Sequence, residues 1–286
     1  MNHDGSLRLD RVPELVSHLK GQGVAGLYVC GSTGEGPLLS SEERKKTAEA
    51  YVQAAKGKLR VIVHVGHDSL AEATMLAQHA ASIGADAIAS LSPGYFKCDS
   101  VDTLIDWLGA IAHHAAPLPL YYYHIPSMSG HSYSMTELLE KAPTRLPTLA
   151  GIKYTATDLA EFQACVELSN GRYDLYFGVD EMLLSAVAVG ASGAVGSTYN
   201  FAAHLYLSMV EAYFSGKFEK ARRLQAQAVH MVSVLKRYRG MPGIKAAMKL
   251  VGLDCGPNRP PLNTLTEEET IAMKHELARW LSMAST

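Results

Sequence analysis

The sequence lacks an excess of charge of either sign, since 26 Lys and Arg residues stand against 28 Asp and Glu residues. Such a balance gives no general attraction to nucleic acid or to an anionic membrane. Cysteines are also few, and the four of them show no paired spacing: Cys30, Cys98, Cys165 and Cys255. This scatter favours reduced thiols over a disulfide framework or a zinc site. We therefore expect no nucleic-acid partner and no metal.

Long apolar runs are absent as well, because no stretch approaches the roughly 18 apolar residues that a membrane-spanning helix requires. The first ten residues, MNHDGSLRLD, are polar, which is unlike a signal peptide or a membrane anchor. From these features we predict a soluble, cytoplasmic protein that does not bind membranes.

Short apolar runs alternate with longer amphipathic segments, and no low-complexity segment or sequence repeat interrupts the pattern. Nearly continuous apolar strands separated by helices predict a parallel sheet covered by helices. The predicted strands are Val24–Cys30, Arg60–Val65, Ala87–Ser92, Leu118–Tyr123, Ala150–Tyr154, Leu175–Gly178 and Ala194–Ser197. The predicted helices between them lie near 41–56, 69–83, 101–115, 134–142, 157–169, 180–189 and 200–215.

Three further helical stretches follow the last strand, near 217–239, 242–250 and 266–283. We therefore predict one barrel domain over 1–286, with the barrel in about 1–215 and C-terminal helices in 216–286. The fold class is α/β, a TIM barrel of alternating strands and helices. A closed barrel of this class has eight strands, whereas seven are predicted here.

Lys153 is the first candidate catalytic residue, because it stands among apolar residues at the end of a predicted strand, in LAGIKYT. Desolvation lowers the pKa of an amine, which leaves a neutral amine able to attack a carbonyl group. The alternative is a lysine that pairs with an acidic residue at the sheet rim.

Tyr123 ends the preceding strand, in PLYYYHIP. Neighbouring strands lie about 4.8 Å apart, so a phenol and an amine at two strand ends reach one small substrate. A phenol is able to shuttle a proton to or from a substrate hydroxyl. Tyr121 and Tyr122 are interpreted as packing residues.

The loop GSTGEG, at residues 31–36, follows the first predicted strand. Its glycines permit a tight turn, while Ser32 and Thr33 supply hydroxyl and amide donors suited to a carboxylate or phosphate. A simple capped turn is the alternative. The later strand ends add Asp180, Glu181 and Ser197, although Asp180 is equally suited to cap the helix after it. All these residues follow strands, where barrel active sites are built.

In this order, GSTGE, YYYHIP, GIKYT, GVDE and GSTYN resemble the N-acetylneuraminate lyase branch of the pyruvate-dependent class I aldolases. The resemblance extends from about Asp4 to the last predicted helix. It implies a Schiff base on Lys153, proton transfer by Tyr123, and binding of the substrate carboxylate by Ser32 and Thr33.

The resemblance also implies further substrate-binding residues. Those that hold the sugar portion are Thr155, Gly178, Asp180, Glu181 and Ser197, and Tyr95 lines the site near Tyr123. Family members are homotetramers that use no metal or organic cofactor, and their ligands are a sugar acid and pyruvate. We expect the same here.

Within this superfamily, two alternatives to a lyase stay open. A sister aldolase or synthase uses the same lysine with another aldehyde, and dihydrodipicolinate synthases place an arginine in the loop where this chain has Met128. That difference favours the lyase. The second alternative is a non-catalytic sugar-acid-binding homologue, which would need neither Lys153 nor Tyr123.

One departure from the family concerns the first strand. Family members begin with a strand ahead of the D-x-x-G turn, but here the turn is Asp4–Gly5 and almost nothing precedes it. We expect that the chain either starts further upstream or lacks this strand, which would leave two strand edges unpaired.

Overall fold

A computed structural model describes residues 1–283 of the chain, with side chains as far as residue 278. Seven parallel strands form one sheet, and their order in the sheet follows the chain. The strands are β1 Gly26–Val29, β2 Arg60–His64, β3 Ala87–Ser90, β4 Leu120–His124, β5 Leu149–Tyr154, β6 Asp174–Phe177 and β7 Gly193–Ala194. The predicted count of seven is confirmed for the described residues, in which β1 and β7 each pair with one neighbouring strand.

Twelve α-helices lie within residues 1–283. They are α1 Val12–Gly21, α2 Ser41–Ala55, α3 Leu70–Ser82, α4 Val101–His113, α5 Pro126–Ser129, α6 Met135–Arg145, α7 Leu159–Ser169, α8 Leu183–Ala188, α9 Tyr199–Phe214, α10 Phe218–Arg237, α11 Met241–Leu250 and α12 Glu267–Met283. Short 3-10 helices span Leu9–Arg11, Gly36–Leu38 and Asp180–Met182. Only α1 and α5 have no predicted counterpart. None of the described helices is long and apolar enough to cross a membrane.

The starts of five helices are determined by polar side chains just ahead of them. Ser40, Ser69, Ser100, Ser134 and Asp158 each accept a hydrogen bond from a backbone N–H in the first turn of the following helix. Such caps satisfy donors that a helix leaves unpaired at its N-terminus. Each crossover helix after β1 to β5 therefore begins at a defined residue, which fixes the length of the preceding loop.

Contacts within the chain divide it into two compact units. The sheet unit comprises 25–179 and 185–195, and contains all seven strands. The helical unit comprises 1–24, 180–184 and the chain from 196 onward. In the helical unit α10, α11 and α12 share a core that includes Val234, Leu235, Ala247 and Met273. The prediction of one domain over 1–286 stays a prediction.

Strands β3 and β4 of the sheet unit are buried along their whole length, as expected for a parallel sheet that is covered on both faces. Near the start of the strands, Tyr121 stacks on Tyr176 with ring centroids 5.4 Å apart. Both phenols donate to Asp174 Oδ2, at 2.6 Å and 3.0 Å. Tyr121 is therefore a packing residue, in agreement with its sequence interpretation.

Candidate active site

Lys153 and Tyr123 are brought together by the register of β4 and β5, in which the two residues are partners. The Nζ atom of Lys153 lies 3.8 Å from the centroid of the Tyr123 ring. Both residues are buried, with 7% of Lys153 and 4% of Tyr123 exposed. The structure thus places an amine and a phenol side by side in a largely desolvated site.

Tyr28 on β1 forms the other side of this site, although it is not among the residues predicted from the sequence. Its ring centroid lies 4.2 Å from Lys153 Nζ, and its ring meets that of Tyr123 edge-on at 5.7 Å. We call Tyr28 and Tyr123 the tyrosine pair. Aromatic faces stabilise a nearby cation, here an ammonium or an iminium on Lys153. The sequence feature that could have identified Tyr28 is its place as the tyrosine of an otherwise aliphatic strand that leads into the GSTGEG loop.

The Tyr28 hydroxyl is buried and makes no hydrogen bond to any described residue. Burial, together with the neighbouring Tyr123, raises the pKa of Tyr28 well above its usual value. The phenol therefore stays neutral, and its ring face rather than its oxygen contacts the amine.

The loop after β1 adopts a conformation that requires two of its three glycines, Gly31 and Gly36. A Cβ atom on Gly31 would lie 2.8 Å from two ring carbons of Tyr28, and one on Gly36 would lie 1.9 Å from the carbonyl oxygen of Cys30. Backbone hydrogen bonds from Glu35 to Ser32 at 3.0 Å and from Gly36 to Gly31 at 3.1 Å close the turn. The loop is thereby held tightly against the tyrosine pair.

This loop brings the hydroxyl of Ser32 close to the phenol of Tyr123. The Ser32 Oγ and Tyr123 hydroxyl oxygens lie 3.4 Å apart, and either group is able to donate. Thr33 follows and is half-buried. The Tyr123 proton therefore has a hydroxyl neighbour for transfer, whereas the binding of a carboxylate by Ser32 and Thr33 stays a prediction.

Thr155 and Gly178 follow β5 and β6. The Thr155 N–H donates to His124 O at 2.7 Å, and the Gly178 N–H donates to Tyr154 O at 2.8 Å. The Thr155 Oγ1 atom is buried without a hydrogen-bond partner in the described part of the chain. A Cβ atom on Gly178 would lie 2.0 Å from that oxygen. The glycine thus leaves room for a hydroxyl whose hydrogen-bonding capacity is unused, as a ligand site would need.

His64, at the end of β2, is buried beside the tyrosine pair, with ring centroids 6.0 Å from Tyr28 and 5.8 Å from Tyr123. Burial, followed by the charges of Arg44 and Lys153, lowers the pKa of His64 well below its usual value. The histidine is therefore neutral near pH 7. The sequence alone does not reveal this position, because the aromatic neighbours of His64 come from other strands.

The nearby residues His67 and Asp68 have structural partners. His67 Nδ1 accepts from the Ser69 N–H at 2.9 Å, and Asp68 Oδ1 accepts from the Gly94 N–H at 2.6 Å. Among residues 1–283, no group of three or more His, Cys, Asp or Glu side chains is arranged to hold a metal ion.

Asp180 and Glu181 lie in the helical unit. Asp180 is buried, and its Oδ2 accepts from the backbone N–H of Thr198 at 2.9 Å and from the Thr198 hydroxyl at 2.6 Å. Glu181 is partly exposed and accepts from Lys236 Nζ at 2.6 Å. Ser197 is half-buried. One oxygen of the Asp180 carboxylate therefore holds the chain around Thr198, whereas Glu181 lies at a surface that solutes reach.

Tyr95 lies on the surface of the sheet unit, with 80% of the residue exposed, and its ring packs edge-on against Phe96 at 5.0 Å. Met128 is also exposed, at 71%. The implied position of Tyr95 beside Tyr123 stays a prediction.

Comparison with known proteins shows close relatives over nearly the whole chain. Residues 1–280 match the dihydrodipicolinate synthetase family. The chain is 42% identical over 282 residues to N-acetylneuraminate lyase of Mus musculus, which covers 97% of this chain and 88% of the mouse protein.

Solved structures agree with this match. The N-acetylneuraminate lyase of Proteus mirabilis superposes with a TM-score of 0.95 at 38% identity, covering 98% of this chain and 95% of that one. A catalytic lysine mutant of a Ruminococcus gnavus sialic acid aldolase gives a TM-score of 0.92 at 29% identity, over 99% of this chain and 93% of that one. These likenesses confirm the predicted α/β TIM-barrel fold with C-terminal helices.

Proposed function

This chain belongs to the dihydrodipicolinate synthetase family, and we propose that it is a carbon–carbon lyase that cleaves N-acetylneuraminate to N-acetylmannosamine and pyruvate. One observation carries the chemistry: the buried Lys153 amine lies against Tyr123, whose hydroxyl adjoins Ser32. The substrate follows from the relatives in mouse and in Proteus mirabilis, which are N-acetylneuraminate lyases.

The first step is formation of a Schiff base. The neutral Lys153 amine adds to the C2 ketone of the open-chain sugar acid, and Tyr123 gives its proton to the departing hydroxyl, so that loss of water leaves a protonated imine and a Tyr123 phenolate. Burial favours the neutral amine, while the faces of the tyrosine pair stabilise the iminium. Ser32 and Thr33 hold the adjacent carboxylate through hydroxyl and amide donors.

The second step is cleavage of the C3–C4 bond. Tyr123, acting through the substrate carboxylate, takes the proton of the C4 hydroxyl, which becomes the aldehyde of N-acetylmannosamine. The electron pair of the broken bond moves into the iminium and gives an enamine. Protonation at C3 and hydrolysis then release pyruvate and restore the Lys153 amine, so the water lost in the first step is returned.

The rest of the sugar is bound by polar groups that follow later strands. We assign this role to Thr155, Gly178, Asp180, Glu181 and Ser197, with Tyr95 contributing to the site. The buried Thr155 hydroxyl and the accessible Glu181 carboxylate support the assignment, because each is able to bond a substrate hydroxyl.

A second candidate is dihydrodipicolinate synthase, the activity for which the family is named. It needs a cation for the carboxylate of a second substrate, and the thioether of Met128 supplies none. A non-catalytic sugar-acid binder is disfavoured because it would have no use for a desolvated lysine beside a phenol.

The deciding experiment measures pyruvate release from N-acetylneuraminate beside a panel of other 2-keto-3-deoxy sugar acids. We expect N-acetylneuraminate to give the highest kcat/KM. A competition with pyruvate and two aldehydes separates the synthase: faster consumption of aspartate semialdehyde than of N-acetylmannosamine would replace the lyase by the synthase.

The resemblance extends the proposal to assembly and location. We infer a homotetramer in the cytoplasm, acting as one barrel domain with C-terminal helices and without a metal or organic cofactor. Light scattering coupled to size-exclusion chromatography tests the assembly, and a mass of one or two chains would overturn the tetramer.

A further inference from the structure

We propose that Arg44, through His64, is a positioning residue for the Lys153 site: it holds the tyrosine pair in place and supplies a fixed positive charge that keeps the Lys153 amine reactive at neutral pH. This inference rests on the proposed Schiff-base function. It concerns a residue on helix α2, outside the strands and loops that supply the proposed catalytic groups.

Arg44 is unusual because it is a buried cation without a carboxylate partner. Only 4% of the residue is exposed, and no ion pair among the described side chains includes it. Its guanidinium donates to Gly66 O at 2.9 Å and to His64 O at 2.6 Å, while its Nε makes no hydrogen bond in the described chain. Burial of an uncompensated charge is costly. Neutral donors would satisfy the same two carbonyl groups, so the retained charge calls for another role.

The contacts of Arg44 lead directly to the tyrosine pair. The Nη2 atom of Arg44 lies 3.5 Å from His64 Nδ1, and a guanidinium is able only to donate. Nδ1 is therefore assigned as the acceptor and Nε2 as the protonated nitrogen, which makes no hydrogen bond among the described residues. The His64 ring in turn meets Tyr123 edge-on, at an interplanar angle of 88°, and lies beside Tyr28. Arg44 thus fixes both the backbone and the ring orientation of His64.

The other titratable groups near Arg44 are neutral near pH 7. Burial raises the pKa of the Cys30 thiol to about 11 and that of Tyr28 well above its usual value. His64 is uncharged for the reason given above. The guanidinium of Arg44 is accordingly the permanent charge of this cluster.

The neighbours of Lys153 come from three strands: Tyr28 from β1, His64 from β2 and Tyr123 from β4. Tyr176 on β6 is the register partner of Lys153, but its phenol donates to Asp174. The His64 ring lies 5.8 Å from the ring of Tyr123, whose centroid is 3.8 Å from Lys153 Nζ, and the lysine charge contributes to the lowered pKa of the histidine. Like charges repel strongly where water is excluded. The guanidinium of Arg44, which contacts His64, therefore disfavours the ammonium form of Lys153.

The test is the pH dependence of imine trapping, measured as the rate at which borohydride and pyruvate label Lys153. Arg44→Met and Arg44→Gln remove the charge, and the Gln variant keeps an NH2 group as hydrogen-bond donor. We expect the apparent pKa of trapping to rise by about one unit in both, so that labelling near pH 7 slows about tenfold. Arg44→Lys keeps the charge and should retain an apparent pKa close to that of the wild type.

Lys46→Met is the matched control, because it removes an exposed cation from the same helix. Its trapping profile should equal that of the wild type. A fold-supporting role alone would lower the melting temperature of the uncharged Arg44 variants without moving the profile, and that result would overturn the proposal. Absence of labelling in the wild type would instead refute the Schiff-base function itself.

Discussion

Tyr28 and Tyr123 place their ring faces 4.2 Å and 3.8 Å from the same atom, the Nζ of Lys153, although they come from strands β1 and β4. Two aromatic faces thus bound the amine. This arrangement suits a lysine that must be neutral to attack a ketone and cationic once the imine has formed.

The first prediction concerns the ring of Tyr28. Tyr28→Phe should leave imine formation nearly unchanged, because the lost hydroxyl makes no hydrogen bond in the described residues. Tyr28→Leu removes the aromatic face, so we expect about tenfold less trapped adduct at subsaturating pyruvate and alkaline pH. Equal trapping by the Leu and Phe variants would show that the ring face does not stabilise the iminium.

The second prediction concerns the proton carried by Tyr123. Tyr123→Phe should still form the imine, since the ring remains, but turnover should fall by about 100-fold to 10,000-fold because acid–base assistance is lost. Steady-state kinetics and borohydride trapping on one preparation separate the two effects. Turnover within about twofold of the wild type, far below the usual range of acid–base assistance, would exclude Tyr123 as the proton shuttle.

Glu181 provides a third prediction, about the sugar portion of the substrate. Glu181→Gln weakens a charge-assisted hydrogen bond, so KM for N-acetylneuraminate should rise about tenfold. Trapping with pyruvate, which lacks the sugar, should not change. Glu219→Gln, in the exposed pair with Arg222, is the matched control. A parallel loss of pyruvate trapping in Glu181→Gln would assign this residue to folding instead.

The fourth prediction links His124 to stability at acid pH. This residue stacks on Tyr154 at 4.9 Å with 1% exposed, and burial lowers its pKa from 6.5 to about 4. The unfolded chain therefore binds a proton between these pH values that the folded chain does not, and the free energy of unfolding falls as the pH drops from 6.5 to 4. The contribution of this group is about 3 kcal/mol at most.

Melting temperatures over this pH range provide the measurement. His124→Phe preserves an aromatic stack but cannot titrate, so its melting temperature should fall less steeply with pH than that of the wild type. The pKa of His64 is lowered as well, so the free energy of unfolding also falls with pH through this residue. The melting temperature of His124→Phe should therefore keep part of its dependence on pH. The exposed His113→Phe is the control and should show the wild-type slope. Identical slopes for His124→Phe and the wild type would contradict the assignment.

The sequence indicated the parts of the site that lie at strand ends. Lys153 and Tyr123 stand out because a lysine and a tyrosine each follow a run of buried residues, and the GSTGEG loop stands out by its glycines. The seven strands and the three C-terminal helices were predictable from the same alternation. Helix α1 was missed although Val12, Val16 and Leu19 follow helical spacing and are buried.

The remaining parts depend on contacts between distant segments, which a single sequence does not encode in a readable pattern. Tyr28 meets Lys153 across 125 residues of chain, and Arg44 on helix α2 reaches His64 on strand β2. Arg44 lies within the charged run SEERKK, which predicts an exposed residue. Its burial is seen only in the folded structure. The carboxylate of Asp180 likewise shows its contacts with Thr198 only in the folded chain.

The central claim is that Lys153 forms the Schiff base, and the most direct measurement is mass spectrometry after treatment with pyruvate and borohydride. We expect one pyruvate-derived adduct, on the peptide that contains Lys153, and none in Lys153→Met. Lys245, which is half-buried and donates to Pro257 O at 2.6 Å, is the lysine to compare. An unlabelled protein, or an adduct on Lys245 instead of Lys153, would contradict the account.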